Sequence, residues 1–100
     1  MSKKLPPIHP GDMLYHEFME PLGLSSGALA RKLGVPANRI SSIVNGSRDI
    51  SPDTALRLSR AFRTSAEMWL NMQSLYNLQQ AEDAANKAEL NKIDPVVAGQ

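Results

Sequence analysis

The chain has 100 residues, of which 42% are hydrophobic, and a formal net charge of +1, values typical of one small globular domain. It contains no cysteine, which excludes disulfides and thiolate metal sites and fits a reducing, cytoplasmic location. No apolar run reaches the roughly 20 residues that a membrane-spanning helix needs, so we expect no membrane partner.

The N-terminal part predicts an arm followed by a first helix. Residues 1–8 carry lysines and prolines and should form a flexible arm, while residues 9–92 should form one helical domain. The first helix should begin at Pro10, and Pro21 and Gly23 should end it. Its apolar side chains recur at helical spacing, which predicts a face turned toward the core. These residues are Leu14, Phe18 and Leu22, with Tyr15 and Met19 beside them.

Three potential metal ligands, His9, Asp12 and His16, fall on roughly one face of this first helix. The pattern raises a metal site as an alternative, but the ligands are scattered and His9 lies at the helix start. Capping and surface roles are the interpretation that we favour for these side chains. We predict neither a metal nor a cofactor.

Two short helices joined by a tight turn are predicted next. Ser25 is suited to cap the first, which should span residues 26–33 and end at Gly34, where a left-handed conformation is needed. The second should span residues 36–44, starting on a proline, and the Asn45-Gly46 turn should stop it. This is the helix-turn-helix pattern, in which the second helix reads the major groove of DNA.

The second of these helices divides into an apolar and a polar face. Its inward residues are predicted to be Ile40, Ile43 and Val44. Its outward residues are predicted to be Ala37, Asn38, Ser41 and Ser42, with Arg39 near the edge. Small polar side chains let a helix approach base edges closely, and asparagine can form paired bonds with adenine. An ordinary surface helix is the alternative that the polar residues alone would leave open.

Charge is unevenly distributed along the chain. Residues 24–63 carry a net charge of +5, whereas residues 1–23 carry −1 and residues 64–100 carry −3. A basic middle segment suits a polyanion, and an acidic C-terminal segment suits solubility or a basic partner. On charge alone, a solvated basic face would be the simpler interpretation.

The C-terminal part predicts two further helices and a tail. Ser51 should cap a fourth helix, and Thr64 and Glu67 have capping-box spacing at the start of a long fifth helix that should reach Asn91. Residues 93–100 should form a flexible tail. The fifth helix has an apolar stripe, part of which is expected to form a dimer surface, because its polar extension has little to pack against in one small domain. The predicted dimerisation residues are Trp69, Met72, Leu75 and Tyr76.

Motifs spread over residues 8–80 resemble those of one family. They are His9-Pro10-Gly11-Asp12, Glu20-Pro21-Leu22-Gly23-Leu24-Ser25, Ala28-Leu29-Ala30-Arg31-Lys32-Leu33-Gly34-Val35-Pro36, Arg39-Ile40, Asn45-Gly46, Thr54-Ala55-Leu56-Arg57-Leu58 and Trp69-Leu70-Asn71-Met72-Gln73. The chain resembles the HigA family of antitoxins, within the XRE-type, phage-repressor-like helix-turn-helix proteins.

The resemblance implies an all-α, five-helix, lambda-repressor-like DNA-binding domain with a longer C-terminal helix. It implies a homodimer that binds a palindromic operator in double-stranded DNA and represses its own operon. It also implies a HigB-like partner toxin, an mRNA-cleaving enzyme that the antitoxin binds and neutralises.

The same resemblance maps DNA contacts onto this sequence. It implies base-edge contacts at Ala37, Asn38, Arg39 and Ser42. It implies phosphate contacts at Ser26, Gly27, Asn45 and Arg48. Related repressors often carry glutamine where this chain has Ser26 and Ala37, so Arg39 is expected to carry more of the base recognition.

Three other functions are alternatives. A stand-alone helix-turn-helix transcriptional regulator without a toxin has the same sequence features as an antitoxin. An interaction module that lost DNA binding is disfavoured by the basic middle segment, because affinity for DNA depends on neutralising phosphates. An enzyme is the least expected, since no cysteine nucleophile, phosphate-binding glycine loop or paired-carboxylate site is apparent.

Overall fold

The computed structural model of the chain describes residues 8–97, which fold into helices without a β-strand. This confirms the predicted all-α fold. The predicted arm over residues 1–8 falls, except for Ile8, outside the described residues, as do residues 98–100 of the predicted tail. Residues 93–97 belong to no helix and are exposed. No helix within residues 8–97 is long and apolar enough to span a membrane.

The first helix changes its geometry twice before it ends. It begins as α1, Pro10–Met13, widens into a π-helical stretch at Leu14–Met19, and tightens into a 3₁₀ turn at Glu20–Leu22. The N–H of Glu20 bonds to the carbonyl of Tyr15, five residues back. The distortion lies directly before Pro21, which has no N–H and whose ring crowds the preceding turn.

The π-helical stretch changes which side chains reach the core. Leu14 and Met19 are fully buried, whereas Leu22 is 66% exposed. The prediction that Leu22 faces the core is therefore wrong, because a wider turn shifts the face on which later residues lie. Gly23, at φ 64°, ends the element as predicted.

The helix-turn-helix consists of α2, Ser26–Leu33, and α3, Ala37–Val44. The Ser25 hydroxyl accepts a hydrogen bond from the N–H of Ala28 at 3.1 Å, as its predicted capping role requires. Gly34 closes α2 at φ 71°. Pro36, predicted to be the first residue of α3, instead precedes it in an extended conformation with ψ 146°.

The remaining helices are α4, Pro52–Phe62, α5, Ala66–Ala84, and α6, Lys87–Asn91. The predicted capping box at the start of α5 is wrong by one residue. Ser65 is the cap, and its hydroxyl accepts from the N–H of Met68 at 3.0 Å. The Thr64 hydroxyl instead accepts from the indole N–H of Trp69 at 2.8 Å, an interaction between side chains that satisfies a buried donor.

The predicted continuation of the fifth helix to Asn91 is also wrong. Ala85 is extended, with ψ 145°, and the Asn86 side chain caps α6 by accepting from the N–H of Glu89 at 3.2 Å. Asparagine competes with the helical backbone for hydrogen bonds and favours such caps. Residues of α6 are exposed, so no packing opposes the break.

One hydrophobic core joins the first five helices. Trp69 is fully buried at its centre, and its ring lies 5.0 Å from that of Phe18, which in turn lies 5.0 Å from that of Phe62. The buried apolar residues are Leu14, Met19, Leu29, Ala30, Leu33, Ile40, Ile43, Ile50, Ala55, Leu58 and Trp69. This core fixes α3 against α1 and α2, which sets the direction in which its polar face points.

Candidate nucleic-acid interface

The outward face of α3 is small and polar. Ala37, Asn38 and Ser41 are exposed, while Ile40 and Ile43 are fully buried behind them. The helix is therefore anchored on one side and free of bulky side chains on the other, which permits close approach to base edges in the major groove. The predicted division of this helix into two faces matches the structure.

Ser42 and Arg48 lie where α3 passes into the next loop. Ser42 is half-buried, and its carbonyl accepts from the N–H groups of Ser47 at 2.9 Å and Arg48 at 3.1 Å. This pair of bonds closes the helix end and fixes the backbone that bears the exposed Arg48 side chain. Ser42 is thus less accessible to a base than the three exposed residues before it.

Arg39, a predicted base-reading residue, forms a short ion pair within the described part of the chain. Its Nη1 donates to Asp53 Oδ2 at 2.7 Å, and its side chain is 30% exposed. The same oxygen accepts from Arg57 Nε at 3.0 Å, and Arg57 Nη1 donates to the carbonyl of Leu33 at 2.7 Å. Hydrogen bonds from Arg39 and then Arg57 hold the pKa of the Asp53 carboxyl below its usual value, so it is ionised at neutral pH.

The start of α2 can receive a phosphate. Ser26 and Gly27 occupy the first two positions of the helix, where backbone N–H groups have no acceptor within it. The position of Gly27 is not crowded, because a Cβ there would make only an ordinary van der Waals contact, 3.9 Å from Nη1 of Arg31. Ser26 and Gly27 are half-buried, and N–H groups without a helical acceptor at a helix N-terminus suit an anion.

The loop after α3 is held in one shape by its own side chains. Asn45 Oδ1 accepts from the backbone N–H of Ser47 at 3.0 Å and from its hydroxyl at 2.7 Å. Gly46 adopts φ 87°, a conformation that glycine reaches without strain. The side-chain oxygen of Asn45 is thus occupied inside the loop. The side-chain NH₂ group of Asn45 is left to donate hydrogen bonds to a phosphate.

Comparison with known proteins identifies this arrangement. Residues 16–69 match the family model described as helix-turn-helix. The chain belongs to the helix-turn-helix family. Its XRE-type, HigA-like character, predicted from the motifs, is confirmed by its relatives, and the family is one of DNA-binding proteins rather than enzymes.

Three relatives illustrate this similarity. Virulence-associated protein I of Dichelobacter nodosus is 47% identical over 95 residues, which cover 95% of this chain and 86% of that protein. The uncharacterised helix-turn-helix-type transcriptional regulator YbaQ of Escherichia coli strain K12 is 36% identical over 90% of this chain and 80% of its own. The solved structure of Pseudomonas aeruginosa antitoxin HigA with the higBA promoter has a TM-score of 0.85 and 45% identity, covering 91% of this chain and 99% of that one.

Gln73, named above only as the last residue of a motif and given no role, anchors the loop of this HigA-like domain. Gln73 is buried, and its Oε1 accepts from the N–H of Ile50 at 2.7 Å, while its Nε2 donates to Asn77 Oδ1 at 3.0 Å. The loop that carries Arg48 is thereby tied to α5. The available signal was a glutamine at the helical spacing of the apolar stripe, four residues after Trp69.

Replacing Gln73 by leucine should lower the free energy of unfolding by roughly 1–2 kcal/mol, because the buried N–H of Ile50 would lose its acceptor. Urea unfolding followed by circular dichroism measures this. The matched control is Gln80→Leu, the same change at an exposed position of α5, which should leave stability nearly unchanged. Equal effects of the two changes would contradict the anchoring role.

His9 takes a capping role at the start of α1. Its Nδ1 accepts from the N–H of Gly11 at 2.9 Å, and its ring lies 4.9 Å from that of Tyr76 in an edge-to-face arrangement. His16 instead faces Glu20, with 3.3 Å between Nδ1 and Oε1. Within residues 8–97, no group of three histidine, aspartate or glutamate side chains is placed to hold a metal.

The four predicted dimerisation residues do not form one exposed surface. Trp69 is fully buried in the core of the chain itself, which corrects its assignment to a dimer surface. Met72 and Tyr76 are half-buried, the latter against His9. Leu75 is 62% exposed and is the residue of this group that a second copy could cover most fully.

Proposed function

We propose that this protein is a HigA-like antitoxin that binds the operator of its own operon as a homodimer and neutralises a HigB-like, mRNA-cleaving toxin. The observation that carries the proposal is the exposed, small and polar face of α3, held by buried Ile40 and Ile43. The relative from P. aeruginosa, with nearly the same fold, was solved with its promoter DNA.

In this proposal α3 enters the major groove. Ala37, Asn38 and Arg39 face base edges, with Ser42 at the rim, and provide sequence specificity. The start of α2 and the loop bearing Asn45 and Arg48 contact phosphates and fix the position of α3. The net charge of +5 over residues 24–63 supports attraction to the DNA backbone.

The proposal is tested by comparing two duplexes, one from the region upstream of the operon and one of the same composition with a scrambled sequence. Fluorescence anisotropy at several salt concentrations should show much tighter binding to the upstream duplex, and affinity for both should fall as salt rises. Equal affinity for the two duplexes would refute sequence-specific operator binding.

Dimer formation is proposed to involve the exposed part of α5 around Leu75. Leu75→Glu should raise the dimer dissociation constant by about tenfold or more, because the interface would bury an unpaired carboxylate from each copy. Sedimentation velocity measures the change. Leu22→Glu is the control, since Leu22 is similarly exposed but lies at the end of the first helix. A wild-type monomer at concentrations that saturate the operator would refute the dimer.

A stand-alone regulator is the second candidate function, because the relative YbaQ is described as a transcriptional regulator. Toxin neutralisation is the property that distinguishes an antitoxin from such a regulator. A short basic open reading frame beside this gene would favour the antitoxin. Co-expression with that reading frame should restore growth that the frame alone arrests, and a pull-down should recover both proteins. Growth arrest that persists on co-expression would favour the regulator.

A further inference from the structure

We propose that Asp53 is a positioning residue that sets the sequence specificity of DNA binding through Arg39, an inference that rests on the proposed operator-binding function. Asp53 lies in the first turn of α4, outside the two helices of the helix-turn-helix. It would touch no base itself. Its effect would be to hold the guanidinium of Arg39, at the edge of α3, in the orientation in which it contacts a base.

The Asp53 carboxylate is itself held in place by the fold. Its Oδ2 accepts from Arg57 Nε at 3.0 Å, one helical turn along α4, and Arg57 Nη1 is fixed by the carbonyl of Leu33 at 2.7 Å. The bond from Arg39 Nη1 to the same oxygen, at 2.7 Å, therefore connects α3 to a support formed by α2 and α4. A flexible arginine is in this way attached to a rigid acceptor.

This attachment leaves Arg39 with the donors that base recognition needs. A guanidinium has five N–H groups in a planar fork, and guanine is recognised by two of them. Asp53 engages Nη1, and the Arg39 side chain forms no other hydrogen bond within residues 8–97, so its Nε and Nη2 stay available. An arginine already ordered before binding loses less side-chain entropy when it meets its base.

The negative charge of the Asp53 carboxylate also weakens DNA binding, and this effect is the same for every DNA sequence. Asp53 is 56% exposed on the basic segment, and residues 24–63 contain a single other acidic residue, Asp49. A negative charge beside DNA repels phosphates and therefore weakens nonspecific binding. Asp53 should thus strengthen operator binding through Arg39 while weakening binding to other sequences, and the two effects combine in the specificity ratio.

Asp53→Asn tests this inference with little change in shape. In the full-length protein, we expect affinity for a scrambled duplex to rise about two- to fivefold and the operator-to-scrambled affinity ratio to fall about tenfold. Asp49→Asn is the matched control, because it removes the same charge from an exposed residue on the same segment. It should change affinity for both duplexes equally and leave the ratio unchanged.

A double-mutant cycle separates positioning from a merely structural tie between α3 and α4. In an Arg39→Ala background, Asp53→Asn should no longer lower the ratio, whereas a general loosening of the fold would lower it in both backgrounds. The inference would be overturned if Asp53→Asn changed the operator-to-scrambled affinity ratio by less than twofold. It would also be overturned if the change lowered that ratio equally in the wild-type and Arg39→Ala backgrounds. Wild-type protein without any operator preference would instead refute the proposed function, so the two failures are distinguishable.

Discussion

Gly11→Ala should lower the free energy of unfolding by about 3 kcal/mol, a large share of the stability of a small domain. A Cβ at this position would overlap the carbonyl oxygen of Ile43 and lie 2.7 Å from its carbonyl carbon. Both are backbone atoms of α3, so the clash cannot be relieved by turning a side chain. The new Cβ would also lie 3.0 Å from His9 Nδ1, the acceptor that caps α1.

Because the displaced atoms belong to α3, the helix proposed to enter the major groove, the same substitution should also weaken operator binding at temperatures where the protein is still folded. Thermal unfolding should show a midpoint lowered by roughly 12–24 °C. Gly27→Ala is the control for stability, since the nearest atom to its new Cβ would be 3.9 Å away. Alanine favours a helix more than glycine does, so this control should be neutral or slightly stabilising. An unchanged midpoint for Gly11→Ala would contradict the close contact between α1 and α3.

Arg39→Ala should weaken operator binding by roughly 1–3 kcal/mol, which corresponds to about 5- to 150-fold in affinity. Asn38 is the other long polar side chain on the exposed face of α3, and the neighbouring positions carry alanine and serine. Removing Arg39 therefore removes the side chain best suited to paired bonds with guanine. Asp53 keeps its bond to Arg57, so the support beneath α3 should remain folded.

A titration by gel shift on the upstream duplex measures this effect. Arg60→Ala is the control, because it removes the same charge from an exposed arginine in the last turn of α4. It should change affinity much less and equally for specific and scrambled duplexes. Unchanged operator affinity for Arg39→Ala would show that base recognition depends on other residues.

The sequence was sufficient to predict the helix-turn-helix itself. Ser25 and Gly34 act on backbone groups within a few residues of themselves, so their capping roles follow from the local sequence. The burial of Ile40 and Ile43 follows from helical periodicity for the same reason. Errors at the starts of α3 and α5 amounted to one residue each. At α5, the neighbouring Thr64 and Ser65 could both serve as the cap.

The tertiary structure decided which distant side chains meet. The pairs Arg39–Asp53 and Gln73–Ile50 join residues on different elements, 14 and 23 positions apart, and depend on the angles at which helices cross. Trp69 lies on α5, and its burial in the core rather than in a dimer surface depends on the same packing. Local periodicity gives the face on which a residue lies but not what covers that face. The sequence by itself thus determined that α3 can present a polar face to DNA, and only packing between helices decided how its arginine is held.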